Sequence, residues 1–574
     1  MVPLCKHIFI ALFLLVPLTM YTQVCDRIPF KKHVRLAKEH IRSSVCGPRT
    51  TFIPRSPGSN TARHLAGWYE YLPGCDDRVW GNLSLTLEYA RSFNSERIAQ
   101  YLFGSTCLNF SGSQVPNRST RDLLADNFGL PTTFQGTVCF KPKIEKVIVD
   151  LMFHLGLDDW HEGLYFKTYF PIVNARWDIG LHCNEQNNQL RTILPTFPPC
   201  YMDTVQSPAV QNIRQALSGT ATFGNEAVPI MFGEFACDHV HRTGIGDIEL
   251  ILGWNALLTP TAHAGPYIIT VIPTSNKPSG SIVLEPILGN GHLWELGAGA
   301  SAHYTFFQRG CHNAGIYFEG HITHQFKDFQ VRSFDLKNHG PLSRYLLLKE
   351  FDTNNQYNNN LVNTIDFATR AARVGGSLKV DASVKLAYHH GEWGCDIGYN
   401  IYLRSRESLC IEPNLFPSDF NTDRLGIKGT EGVCARIFNT TTNTLTTDTV
   451  PLNSTQSNAT IQRPGTVDNP QPITGLEAGQ IAITWDSSLD PTQLKQAFNS
   501  NPPVFITAND LNRRSGAVPP QLTHKVFAHL SYVALNCCWE PQFGFGAEAE
   551  FDGRSKFLSS LNQWGIWFKS TLSF

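Results

Sequence analysis

The sequence predicts an all-β fold, a transmembrane antiparallel β-barrel of about 14 strands within a range of about 12 to 18, with long loops on one side. Three observations predict it. Many segments alternate apolar and polar residues with the period of a strand. The connections between them alternate short and long. The alternation also runs to the chain end, where "WGIWFKSTLSF" puts Trp564, Ile566, Phe568, Leu572 and Phe574 on one parity.

The first element is a leader. "IFIALFLLVPLTM", residues 8 to 20, follows Lys6 and His7 and has the length of a signal peptide, too short to span a bilayer as a helix. Residues 1–22 are therefore expected to be cleaved and the chain exported. Val24 before Cys25 does not suit a lipoprotein. Residues 23–65, with "KKHVRLAKEHIR" and "FIPRSPGSNTAR", form either a periplasmic segment or a plug in the lumen.

Residues 66–574 are read as the barrel. The expected strands are 66–73, 82–90, 95–104, 145–155, 162–172, 246–256, 265–273, 292–305, 314–326, 376–388, 393–404, 523–536, 541–552 and 562–574. In "NLSLTLEYA", Leu83, Leu85, Leu87 and Tyr89 oppose Ser84, Thr86 and Glu88; in "SLKVDASVKLAY", Leu378, Val380, Val384 and Leu386 oppose Lys379, Asp381, Ser383 and Lys385. A soluble sandwich also alternates, but its strands average five or six residues. Long strands with charges at mid-strand suit a lipid-facing apolar side and a wet lumen, closed because lipid offers the backbone no partners. On this reading Lys at Leu85 is costly and Lys at Ser84 tolerated. The large loops are 105–144, 173–245, 327–375 and 405–522. The last includes "NTTTNTLTTDTVPLNSTQSNATIQRPGTVDNPQP", too poor in apolar residues to fold a core alone, followed by a short helix candidate in "SLDPTQLKQAF".

Composition sets further bounds. Charged residues are 17%, aromatics 11% and the formal charge −1, so no broad attraction to nucleic acid is expected. Fifteen cysteines in an exported chain point to disulfides. Beyond Cys5 in the leader, Cys75, Cys107, Cys139, Cys183, Cys200, Cys237, Cys410 and Cys434 fall on the outer side, and Cys25, Cys46, Cys311, Cys395, Cys537 and Cys538 on the periplasmic side. Pairing is expected within each side, with cross-linking into a lattice as the rival.

By parity the lumen-lining acids are Glu88, Asp150, Glu249, Glu295, Asp381, Glu548 and Glu550. The bases are Lys146, Lys167, Lys379, Lys385 and Lys569. Such near-balance predicts weak ion selectivity, with Tyr165 and Tyr169 beside Lys167. No phosphate loop, nucleophile elbow or HExxH motif occurs. "CDHVH" at Cys237, His239 and His241 lacks the spacing of structural zinc sites, His321 and His324 fall on opposite faces, and "HHG" at 389–391 reads as a polar turn. No catalytic residue, metal or cofactor is assigned.

Gly565, Phe568 and terminal Phe574 resemble the assembly signal of bacterial outer-membrane barrel proteins, which the insertion machinery reads. Among barrels the chain is similar to the cysteine-rich major porins of intracellular bacteria, departing from them in length and in segment 405–522. The resemblance implies placement in the bacterial outer membrane, with lipid and the barrel assembly machinery as partners and a homo-oligomer or disulfide-linked lattice as the assembly. It implies a porin-like channel, not an enzyme, for passive diffusion of small hydrophilic solutes. The alternative is a non-conducting structural or adhesive surface protein whose barrel anchors disulfide-stabilised loops.

Overall fold

The computed structural model describes residues 48–68, 80–185, 196–412, 424–469, 477–483, 502–534, 540–553 and 559–573. Twelve antiparallel strands form the barrel: β1 Gly81–Ser92, β2 Lys143–Gly156, β3 Leu164–Asp178, β4 Ile248–Trp254, β5 Ala262–Ile272, β6 Glu295–Arg309, β7 His312–Gln325, β8 Leu378–His390, β9 Trp393–Arg404, β10 Gln521–Val533, β11 Glu540–Asp552 and β12 Gln563–Ser573. Each pairs with its sequence neighbours, and β12 closes on β1 in a register running from Asn82↔Ser573 to Ser92↔Gln563. Two short strands, Val240–Ile245 and Leu257–Thr259, flank β4, the first pairing with β3 and the second with β5. Among the described residues no helix is long and apolar enough to cross a membrane.

The expected count of about 14 is corrected to twelve: one surplus segment folds as a helix, and the other is described only at its start. Segment 95–104 is a helix, Ser95–Phe103, between Asn94 and Gly104, both in the left-handed region. Its buried residues Ile98, Ala99, Tyr101, Leu102 and Phe103 recur at three and four, so a period of 3.6 prevails over the apparent period of two. Segment 66–73 follows helix α1, Thr61–Leu65; its described residues 66–68 make a turn, and the rest lies outside the described residues. So do the leader, the 488–498 helix candidate, Phe574, and Cys25, Cys46, Cys75, Cys537 and Cys538.

The barrel has two unlike rims. On one side lie tight connections, such as 310–311 between β6 and β7 and 391–392 between β8 and β9; on the other lie the long loops. Its outer face is greasy along the middle, with Arg91, Asn174 and Arg176 outward toward the loop rim. Leu85, Ile268, Leu386, Ile397, Val526 and Ile566 are 46–64% exposed along its middle. Exposed aromatics ring the two ends. Tyr304, Phe306, Tyr388 and Trp393 lie near the tight-turn rim, and Trp294, Phe326, Phe551 and Trp564 near the loop rim.

The long loops do not stand apart. Phe110, Phe128, Phe140, Phe197, Phe235, Phe334, Leu346, Phe351, Ile365, Ile427 and Ile461 bury into one apolar core, so loops that lack a core singly share one. Part of the Thr- and Asn-rich stretch belongs to this cap. Cys434–Asn439, Thr444–Pro451 and Gln480–Ile483 form a three-stranded sheet, with Ala435, Leu452 and Ala482 buried in it. Disulfides Cys107–Cys139 and Cys200–Cys434 lie in the cap, the second joining loops 234 residues apart. Cys183, Cys237, Cys311, Cys395 and Cys410 carry free thiols.

Two buried carboxyls fasten the cap from within. Glu226 accepts hydrogen bonds from the Phe223 N–H at 3.2 Å and Asn363 Nδ2 at 2.9 Å. Asp366 accepts from the N–H groups of Met231 and Phe232 at 3.0 and 3.2 Å. Burial pushes Glu226 up to about 8 from its ordinary 4.5 and Asp366 up to about 7 from 3.8. Both keep a proton in the fold over a range where the unfolded chain has released it. The stabilisation is therefore full below the unfolded values and is lost as pH rises through about 7 and about 8. Limited proteolysis of the cap is expected to be slow near pH ~5 and faster near pH ~9, with the contrast reduced in E226Q/D366N.

Face assignment generates a second prediction. L85K is expected to cost about 2–4 kcal/mol if Leu85 meets the bilayer midplane, read from unfolding in lipid vesicles. The expected tolerance of Lys at Ser84 is corrected: Ser84 is 0% exposed and its Oγ lies 3.2 Å from Thr571 Oγ1, so S84K has no room either.

Candidate functional site: the filled lumen

The polar strand faces do not meet open water. Residues 49–68 run through the barrel from the loop rim to the tight-turn rim. At the loop rim the Arg49 N–H donates to the Tyr101 carbonyl at 2.8 Å and the Thr50 N–H to that of Ser515 at 3.0 Å, while Phe52 packs edge-on against Tyr101 and Trp177. At the other end the Gly67 N–H donates to Asp396 Oδ2 at 2.7 Å and Lys385 donates to the Trp68 carbonyl at 2.6 Å.

Between those ends the plug presents two arginines and a short helix to a charged wall. Arg55 lies 2.6 Å from Asp381 and 3.6 Å from Glu550, and donates to Asn400 at 2.8 Å. Arg63 bridges Glu88 on β1 and Asp150 on β2, the latter at 2.8 Å. His64 Nε2 is 3.2 Å from Asp150, and its ring stacks on Tyr169 at 3.6 Å between centroids. Helix α1 starts at Asn60, whose side-chain oxygen accepts from the Arg63 N–H at 3.3 Å, as an N-cap does. Its carbonyl end is held by Lys569, which donates to Ala66, His64 and Arg63 at 2.7, 3.1 and 3.3 Å. A cation at that end also complements the helix dipole.

All twelve residues read from the sequence as lumen-lining are buried in strands of this wall. Glu88, Asp150, Asp381, Glu550, Lys385 and Lys569 form the plug contacts just described. Glu548 lies 2.6 Å from Lys525 and accepts from Asn60 at 3.1 Å. Glu295 lies 2.6 Å from Lys379, which also donates to Ser59 at 3.2 Å. Lys167 sits over the Trp68 and Tyr165 rings and 3.8 Å from Glu319, while the plug's His64 covers the face of Tyr169. Lys146 and Glu249 are buried on the same wall.

The parity set omitted Glu319, Asp396 and Lys525, which the same alternation reaches. It also omitted Arg55 and Arg63, which lie outside any strand; their signal was a basic segment ahead of a wall with more acids than bases. The remaining candidates do not converge on chemistry. His239 faces the Arg176 guanidinium at 3.1 Å and His241 at 4.9 Å between ring centroids, a cation beside the imidazole being unfavourable for a metal. His321 is buried in the wall while His324 faces outward. Gly565 and Phe568 lie in β12, with Gly565 opposite Ala90 and Phe568 opposite Leu87.

No family model matches the chain, and no curated protein matches it. Among solved structures it is similar to an outer-membrane channel from Pseudomonas putida F1 at 7% identity, covering 88% of this chain and 100% of that one with a TM-score of 0.31. A FadL homologue from Pseudomonas aeruginosa matches at 8% identity over 92% and 99% of the two chains, TM-score 0.27. The Pseudomonas putida toluene transporter TodX matches at 8% over 91% and 99%, TM-score 0.27. Scores this low carry no argument about this chain, whose barrel is established by its own strand pairing.

Removing Arg63 leaves two buried carboxylates facing each other without their cation. R63A is expected to cost about 3–5 kcal/mol, the scale of breaking a buried pair from one side. R91A, at a half-exposed partner 3.6 Å from Glu145, is expected to cost under about 1 kcal/mol. Thermal unfolding of the detergent-solubilised protein compares them; equal effects would mean the lumen is wet.

Proposed function

We propose that the chain is a bacterial outer-membrane channel for small hydrophilic solutes, closed at rest by its own residues 49–68. The outer-membrane reading is supported by the apolar outer belt with an aromatic ring near each rim, the surface a bilayer accepts, and by long loops on one rim only. The closed reading rests on one observation, that the wall's mid-strand charges make ion pairs and hydrogen bonds with the plug.

The polar character of that contact favours a channel over a permanently filled barrel. A lasting filling is generally no less stable when built from well-packed apolar side chains than from buried ion pairs. A wall lined with Glu88, Asp150, Asp381 and Glu550 remains well hydrated when the plug withdraws; an apolar wall would not. Transport would then be passive, with wall charges weighting which solutes enter.

A second reading has its own support. The loops share an apolar core and two disulfides, which suits a surface protein whose barrel serves as an anchor for a folded cap. Planar-bilayer recording separates the two. The wild type is expected to open rarely, and R55A and R63A, verified as folded by heat-modifiable gel mobility, are expected to show stepwise openings with a clear rise in open probability. Silent bilayers from all three would remove the channel reading and leave the anchor.

A further inference from the structure

At the tight-turn rim two neighbouring hairpins bring a thiol and two imidazoles together. Gly310 and Cys311 link β6 to β7, and Gly391 and Glu392 link β8 to β9. Both glycines have positive φ, +58° and +59°, as tight hairpin turns require. The β7–β8 ladder ends with His312 opposite His390, and the Gly391 N–H donates to the Cys311 carbonyl at 3.0 Å, so the backbone fixes the two turns against each other.

In that frame one ligand atom from each of Cys311, His312 and His390 lies within 4.8 Å of the other two. The two imidazole centroids are 4.5 Å apart. His312 Nδ1 lies 2.7 Å from the Tyr388 hydroxyl. With Nδ1 as donor to that oxygen, Nε2 is left with its lone pair outward, the arrangement by which an outer partner prepares a histidine ligand. The cluster is half-buried to exposed, so an ion reaches it directly from the rim. Of the charged groups around it, Glu392 accepts the Tyr532 hydroxyl at 2.6 Å, and Arg309 stands opposite His312 in the β6–β7 ladder, a cation the bound ion has to tolerate.

We propose that Cys311, His312 and His390 bind a divalent transition ion of the zinc class, with a water in the fourth position. The donor set selects the class. A thiolate with two imidazoles favours Zn²⁺ and Co²⁺ over the oxygen-seeking Mg²⁺ and Ca²⁺. The spacing requires only side-chain rotation, because ligand bonds of about 2.0–2.3 Å around one ion place donors about 3–4 Å apart. On binding, the Cys311 thiol releases its proton to solvent and the sulfur forms the metal bond. The ion then clamps the β6–β7 and β8–β9 turns. This site is independent of whether the lumen conducts.

The test uses full-length mature protein, purified in detergent without a histidine tag and kept in a non-thiol reductant. Titration with Co²⁺ is expected to produce a thiolate-to-metal charge-transfer absorption that saturates at about one equivalent and is displaced by Zn²⁺. C311S should abolish the band, H390A and H312N should each weaken binding at least about tenfold, and C395S and C410S should leave it intact. Gel mobility establishes that each variant is folded, and the two histidine variants carry the test should C311S not fold. A wild type without the band, a C311S that retains it, or histidine variants that bind as the wild type does would each overturn the proposal.

Discussion

The seam between β1 and β12 is the constraint from which the rest of the architecture follows. A sheet with greasy residues on its outer face leaves each edge strand with unpaired amides and carbonyls, which a bilayer cannot satisfy. Closure of Asn82–Ser92 on Gln563–Ser573 removes both edges at once. It also divides each strand into two environments. Leu83, Leu85 and Leu87 point away from the axis while Ser84, Thr86 and Glu88 point toward it, and no strand can slip by one residue without exchanging the two sets.

Closure creates an interior that the chain then fills. Twelve strands leave more room than wall side chains alone occupy, and the space is taken by residues 49–68. Their attachment is distributed. Asp381, Glu88, Asp150, Asp396, Lys385 and Lys569 contact the plug from β8, β1, β2, β9 and β12, so one short segment ties together strands far apart in the barrel. The cap is built on a related principle, since its core draws on loops separated by hundreds of residues and only the barrel brings those loops to one rim.

The sequence made the barrel legible because period two is a local signal that survives without neighbours. Twelve of the fourteen expected segments coincide with barrel strands. One failure has a plain cause. "SERIAQYLFG" offers Ala99, Tyr101 and Phe103 at alternate positions, and only packing reveals that Ile98, Ala99, Tyr101, Leu102 and Phe103 form a single helical stripe. Inward acids and bases were readable by parity, whereas their state was not: whether Glu88 meets water or Arg63 depends on a partner 25 residues away in a segment with no periodicity. The cap core was illegible for a similar reason, since Phe110, Phe197, Phe334 and Ile461 each sit in a polar loop and become a core only together. The thiol–imidazole cluster at the tight-turn rim needed the registry His312↔His390, which joins two turns that separately read as polar.

The hold of Lys569 on the end of helix α1 bears on the order in which the molecule is put together. Lys569 belongs to β12, while the carbonyls it grips belong to residues 63–66, which are synthesised some five hundred residues earlier. The early-made part therefore lacks its complete seat until the late-made part is present. The strand that shuts the cylinder is thus also one that completes the seat of its filling.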